Sequence, residues 1–360
     1  MNTFKKVLFS LFVSSLLLFF SMLTFLWWNH FPPLAETFSP DIISLYENVS
    51  APLPKNLKVA SYNIHFGIGL KWDRQEGLNK EDFEMRLNKI AEILKEINAD
   101  IVLLQEVDFD SARSKNIDQA EYIAEKADYN WVAKAPYLRE KFHPNLQGMH
   151  GRINFGLCIL SRFPLKDHEA HIFPHPDEMP FYLKWLYNPH GAQKVIAQIG
   201  NQEINFINVH LEPWSQKTRE KESATIAEWI NSIEGSVVLG GDFNAIPPET
   251  PNKTGDYLSD APWFIDRTRW DIENDETIQI IRSVNGITDA IPPKTFLKNQ
   301  KESSTYPSNN PTEMIDYIFA RRSAQVLYGY VFHKATTASD HLPVAAYIKY
   351  VSSNISKTTD

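Results

Sequence analysis

Residues 7–28 form a run of 22 residues that carries no charge and is almost wholly apolar. Nothing else limits the fold as strongly, because such a run must be covered by protein or by lipid. As a helix it would reach roughly 33 Å, enough to cross the hydrocarbon core of a bilayer. Ser14, Ser15 and Ser21 dilute it little, since a helix satisfies their hydroxyls internally. Trp27 and Trp28 stand at its far end, where indole rings favour the interface. Lys5 and Lys6 precede it, while residues 29–41 hold Glu36 and Asp41 but no lysine or arginine. This asymmetry predicts a single-pass membrane protein with a cytoplasmic N-terminus and the rest of the chain outside the cytoplasm, in the periplasm if the cell is Gram-negative. A cleaved signal peptide and a buried core helix are the alternatives, and the run is long for the first.

Residues 1–28 are therefore read as a cytoplasmic stub and transmembrane anchor. Residues 29–56 contain Pro32, Pro33, Pro40, Pro52 and Pro54. They read as a tether with one helical turn at 41–46. A folded domain is expected at 57–351 and a disordered tail at 352–360. An apolar fraction of 43% and an aromatic fraction of 12% are enough for one large core. The single cysteine, Cys158, excludes an intrachain disulfide and thiolate metal clusters. A net charge of −8 offers no general attraction for long polyanions.

Periodicity then sets the class. Residues 57–66 alternate as a strand. Asn79 is placed to cap a helix whose apolar stripe is Phe83, Leu87, Ile90, Leu94 and Ile97. Residues 101–104 read as a buried strand. Further helices are expected at 117–127 and 218–233. Strands are expected at 196–199 and 204–209, turning at Gly200-Asn201, and at 237–239, 315–320, 326–332 and 344–350. Residues 134–152 read as loops. Strand and helix alternate, which predicts an α/β fold with covered sheets.

Polar residues stand at the ends of several apolar strands. Asn63 lies in 61–65, Glu106 ends 101–106, His210 ends 206–210, and Asp242 and Asn244 follow 237–241. Asp316 interrupts 314–318, and Asp340-His341 precedes 342–344. A carboxylate at the edge of a buried strand costs desolvation unless it is paired or bound to metal. One such residue is as well explained by a cap or a satisfied core polar group. Six at once point to a shared site. Oxygen ligands of this kind suit Mg²⁺ or Mn²⁺, with Ca²⁺ less suited and zinc disfavoured. Carboxylates, imidazoles and amides around a hard cation describe attack of activated water on a phosphoester.

The stretches SYNIH (61–65), LLQEVD (103–108), GLCILSRFP (156–164), NVHLEP (208–213), GDFNAIP (241–247), MIDYIF (314–319) and SDHLPV (339–344) resemble the endonuclease/exonuclease/phosphatase superfamily. The resemblance spans nearly everything after the tether. It implies a four-layer sandwich of two packed mixed sheets flanked by helices. It implies Glu106 as principal metal ligand, Asn63 beside it as metal ligand or phosphate contact, and Asp340 ligating or approaching the metal. Asp242 is implied as the carboxylate that orients or deprotonates water, with Asn244 fixing it and holding a phosphoryl oxygen. His341, charged through Asp316, and His210 are implied as the imidazoles that contact the phosphate.

The substrate is less constrained. Asp108 stands where abasic-endonuclease types carry lysine, which weakens a DNA-repair reading. Arg113 is the candidate basic contact to the substrate, or else a surface charge. An anchored enzyme samples the layer beside the bilayer, and residues 181, 182 and 185–187 supply aromatic and apolar groups for a membrane-facing loop or for core. A phosphodiesterase acting on a lipid headgroup is therefore the leading expectation. An extracytoplasmic nuclease, a phosphomonoesterase and an inactive binding protein are the alternatives. No protein partner is readable.

Overall fold

In the computed structural model, residues 3–30, 34–47, 51–70, 77–143, 151–180, 183–184, 187–251, 253 and 271–350 are described. The apolar run lies in helix α1 (Thr3–His30), which is long and apolar enough to cross a membrane, and its most apolar stretch is not covered by the rest of the chain. The strands that follow are β1 (Thr37–Phe38), β2 (Ile42–Ser44), β3 (Leu57–Asn63), β4 (Ile101–Asp108), β5 (Trp131–His143), β6 (Gly151–Ser161) and β7 (Leu165–Ile172). They continue as β8 (Gly191–Ile199), β9 (Gln202–His210), β10 (Ser236–Asp242), β11 (Ile287–Asp289), β12 (Asp316–Arg321), β13 (Ala324–Val331) and β14 (Val344–Tyr350). The longer helices after α1 are α2 (Lys80–Ile97), α3 (Gln119–Lys126) and α4 (Gln216–Ser232).

The strands form two seven-stranded sheets, β1-β7-β8-β9-β10-β12-β11 and β13-β14-β3-β4-β6-β5-β2. In each sheet one pair is parallel, β9 with β10 and β3 with β4, and the other neighbours are antiparallel. A parallel pair needs a crossover, which α4 and α2 supply. The inner faces share one core that includes Leu57, Leu103 and Ile159 from one sheet and Val195, Phe206, Val238 and Ile318 from the other. The sheets approach closely at Gly240, where a Cβ would stand 2.9 Å from Leu103 Cδ1.

Helix α2 follows its stripe. Asn79 accepts the Asp82 N–H at 2.8 Å, and Asp82 accepts the Asn79 N–H at 2.9 Å. This reciprocal cap starts the helix, and Asn98 ends it in the left-handed region at φ 54°. Phe83, Leu87, Ile90, Leu94 and Ile97 are all buried. Asn79→Ala should lower stability by about 1 kcal/mol. The readout is a lower urea midpoint at unchanged slope, and an unmoved midpoint would show that the cap contributes nothing.

Three expectations are corrected. The tether is not free: β1 pairs with β7 and β2 pairs with β5, so it supplies an edge strand to each sheet. The helical turn expected at 41–46 is replaced by β2, because β-branched Ile42 and Ile43 fit the open edge of β5. Most of the stretch read as loops at 134–152 belongs to the β5–β6 hairpin. Its polar residues obscured the alternation because Glu140 and His143 are buried against each other, His143 Nδ1 lying 2.6 Å from Glu140 Oε2. Of the aromatic segment, residues 181, 182, 185 and 186 lie outside the described residues, as does the tail 352–360. Tyr187 is core, buried with its hydroxyl donating to Glu212.

Candidate active site

Strand register assembles the site before any side chain is considered. Asp242 is the register partner of His210 on one side and of Asp316 on the other. In the second sheet, Asn63 is the partner of Gln105. The C-terminal ends of two parallel pairs therefore carry the polar residues to one rim of the sandwich. Two backbone devices aim them. Gly241, at φ 152°, holds a conformation in which a Cβ would collide with the Val209 carbonyl, so only glycine fits beside Asp242. Strand β4 shifts register between Leu104 and Val107, and Glu106 inside this bulge takes φ 54°.

The six strand-end positions converge. Asn63 Nδ2 donates to Glu106 Oε1 and to Asp242 Oδ2, at 3.0 Å each, and so joins the two sheets. Asp242 Oδ1 accepts the Asn244 N–H at 2.9 Å, while Asn244 Nδ2 donates to the Leu211 carbonyl at 2.9 Å. His341 Nδ1 pairs with Asp316 Oδ2 at 2.9 Å, and its Nε2 faces Asp242 Oδ2 at 3.6 Å. His210 Nε2 lies 3.7 Å from Asp242 Oδ2 and 4.0 Å from Glu106 Oε1. Asp340 stands at the margin, its Oδ2 3.1 Å from His65 Nδ1. Ser339 ties this loop to β3 by donating to the Asn63 carbonyl at 2.7 Å.

Charge follows from these contacts. Burial opposes a charge on His341, but Asp316 and Asp242 outweigh it and hold the imidazole pKa well above its usual value. His210 moves the other way: burial and the neighbouring His190 push it down to about 4, so it is neutral at pH 7. Burial raises the Asp242 carboxyl, and Asp316 adds to this against the pull of His341 and His210. Burial would also raise Glu106, yet His65, His210 and the Asn63 amide bring it below the ordinary range.

Ligating atoms of Asp242, Asp316 and His341 lie within 4.8 Å of one another, an acid–imidazole cluster of metal-binding kind. Within it the His341 ring already bridges the two carboxylates. Glu106 is the more open carboxylate: its side chain is 19% exposed, and among the described residues no hydrogen-bond donor meets its Oε2. A hard oxygen donor with a free face fits a divalent cation that keeps most of its own waters.

Two residues stand differently from the expectation. Asn63 turns its nitrogen, not its oxygen, toward Glu106, because the gap between two carboxylates needs a donor; its Oδ1 accepts the His65 N–H at 3.0 Å. It bridges the carboxylates and presents no oxygen to a metal beside them. Arg113 does not reach the cluster. Its Nε and Nη2 grip Asp108 at 2.9–3.2 Å, and both side chains are essentially inaccessible, at 2% and 0%. The guanidinium also stacks over Phe66, 3.8 Å from the ring centroid. The lost lysine and the candidate substrate arginine are thus two halves of one buried ion pair.

The structure adds residues that the motifs did not single out. Tyr137 on β5 pairs its hydroxyl with His210 Nδ1 at 3.1 Å. His190 packs edge-on against His210, ring centroids 4.8 Å apart, and its Nδ1 lies 3.5 Å from Glu212 Oε2. Tyr137 fell in the supposed loop, and His190 precedes its strand with no flanking pattern. Beneath the site, Gln105 Nε2 donates to Asn208 Oδ1 at 2.7 Å, and Asn208 Nδ2 donates to the Leu104 carbonyl at 2.8 Å. Both lie inside quoted motifs, where their role is to lock the sheets together.

The family model described as Endonuclease/Exonuclease/phosphatase family matches residues 60–341. The chain belongs to this family. With the acid–imidazole cluster, the family assignment makes it a metal-dependent phosphoesterase. No curated protein matches the sequence. Among solved structures, an endonuclease/exonuclease/phosphatase from Beutenbergia cavernae superposes with a TM-score of 0.57 at 18% identity, over 82% of this chain and 72% of that one. A family protein from Bacteroides thetaiotaomicron gives 0.54 at 18% identity over 83% and 99%. Humanized D. rerio TDP2 gives 0.52 at 14% identity over 82% and 99%. At these identities the likeness shows the fold.

The lipid-headgroup expectation is overturned here. The family is described by nuclease and phosphatase activities, and of the three structures above two are named for that family and one for TDP2. Proximity to a bilayer says where an anchored domain works, not which ester it cleaves.

Proposed function

We propose that this chain is an extracytoplasmic, membrane-anchored phosphodiesterase that hydrolyses nucleic-acid phosphodiesters by in-line attack of water. The observation that supports it is the convergence on Asp242 of an amide, two imidazoles and a backbone N–H from separate strands and loops. Asp242, made more basic by burial, is fixed by Asn244 and Asn63 to orient and deprotonate the attacking water. Imidazolium His341 approaches the same Asp242 oxygen as His210 and offers positive charge to the phosphoryl oxygens. Neutral His210 accepts the Tyr137 hydroxyl on Nδ1, which leaves Nε2–H to donate to a phosphoryl or leaving oxygen. Glu106 would hold the metal, which we assign as Mg²⁺ from its hard oxygen donor; when bound, the ion neutralises charge on the phosphoryl and leaving oxygens. The net charge of −8 favours short or locally accessible strands over long polyanions. Helix α1 is the anchor, and Lys5 and Lys6 keep its N-terminus in the cytoplasm.

Purified full-length protein in detergent should cleave DNA or RNA oligonucleotides with Mg²⁺, lose the activity to chelator, and leave phospholipid vesicles intact. Headgroup release from vesicles beside untouched oligonucleotides would overturn the substrate assignment.

A further inference from the structure

Two independent features tie α1 to one side of the catalytic domain. The first is covalent. Thr37, which opens β1, stands seven residues beyond His30, the last residue of α1. Fully extended, that interval reaches at most about 25 Å. Strand β1 is then zipped to β7 through Thr37↔His171 and Phe38↔Ala170, and β2 to β5 through Ile42↔Ala133 and Ser44↔Trp131. Each is the outermost strand of its sheet. From Thr37 the chain is part of the sandwich, so any leash is limited to the interval between His30 and Thr37.

The second is a contact. Phe142 at the far end of β5 donates its N–H to Asn29 Oδ1 at 2.6 Å, and Asn29 is only 4% exposed. The Phe25 and Phe142 rings meet edge-on, centroids 6.3 Å apart. Lys141 Nζ sits 5.1 Å above the Trp28 ring. These contacts engage the last turns of α1, the end that bears the interfacial indoles.

From this joint we infer that the catalytic domain does not tumble above the membrane but lies with the Arg139–Phe142 end of β5 and the neighbouring β1 and β2 edges against the phospholipid headgroups. The inference rests on the anchor reading of α1. Arg139 and Lys141 are both exposed, and their spacing of two puts them on one face of β5. They give the end of β5 two cations to meet headgroup phosphates, against exposed Glu36 and Asp41 beside β1 and β2. Tyr137 lies five residues before Phe142 on the same strand, so the His210 partner sits roughly 17 Å from the joint. Substrate would thus enter close to the bilayer surface.

The test uses the full chain in vesicles of phosphatidylcholine and phosphatidylglycerol doped with a nickel-chelating lipid. Arg139→Cys and Tyr328→Cys carry a nitroxide; native Cys158 is buried and stays unlabelled. Tyr328 lies on β13, the opposite edge strand of the same sheet, and is 54% exposed. Relaxation by the nickel headgroups should be several-fold stronger at position 139 than at 328, and the difference should shrink in Asn29→Ala. Equal relaxation at both positions in protein that resists alkaline carbonate extraction would overturn the fixed pose and leave the anchor standing. Release by carbonate would overturn the anchor and the pose together.

Discussion

Asp242→Ala and His341→Ala should each lower kcat on bis(p-nitrophenyl) phosphate by about 1,000- to 10,000-fold, with kcat taken from the folded fraction because His341→Ala also leaves Asp316 buried without its partner. Asp242 meets Asn63, Asn244, His210 and His341 directly, so its loss removes the water-directing carboxylate and the point about which these donors are arranged. His341 acts through its charge, which Asp316 and Asp242 sustain against burial. The sign of the pH effect follows. With the imidazole pKa raised, the active protonated form persists above neutrality, and the alkaline limb of the rate profile should lie on the basic side. Asp316→Asn removes one of the two opposing carboxylates, lets burial prevail, and should move that limb to lower pH. Wild-type turnover in both alanine variants, or an unmoved limb in Asp316→Asn, would refute these roles.

Arg113→Ala should destabilise the domain by about 3–5 kcal/mol, because it leaves Asp108 buried and unpaired. The measurement is chemical denaturation of the full chain, with kcat taken from the fraction that remains folded. Stability should fall while kcat of the folded fraction stays near wild type. Removing both charges, with Arg113→Met and Asp108→Leu, should recover much of the loss. A fall in activity with no change in stability would return Arg113 to the role of substrate contact.

Those two cases mark what a sequence discloses. Asp242, Asp316 and His341 were legible because an ionisable group at the end of an apolar strand has few inexpensive explanations, and several such strands shared the pattern. Helix α2 was legible because its cap and stripe are local. Arg113 was not, since charge alone does not tell a buried pair from a surface contact, and its partner is brought to it only by the turn after β4. The amide orientation of Asn63 is set by two carboxylates that meet only across the sheets. The β5–β6 hairpin was hidden by Glu140 and His143, polar residues that satisfy each other in the interior. With it went Tyr137, whose meaning depends on a histidine 73 residues away.

His210, Asp242 and Asp316 occupy one rung across three neighbouring strands. Side chains alternate with a period of two, so a slip of β10 by a single residue would send Asp242 to the opposite face while its neighbours stayed behind. Misaligned molecules would therefore be inert, not slow. Turnover per molecule counts correctly zipped sheets, and a preparation of mixed register would show a reduced active fraction with unaltered KM.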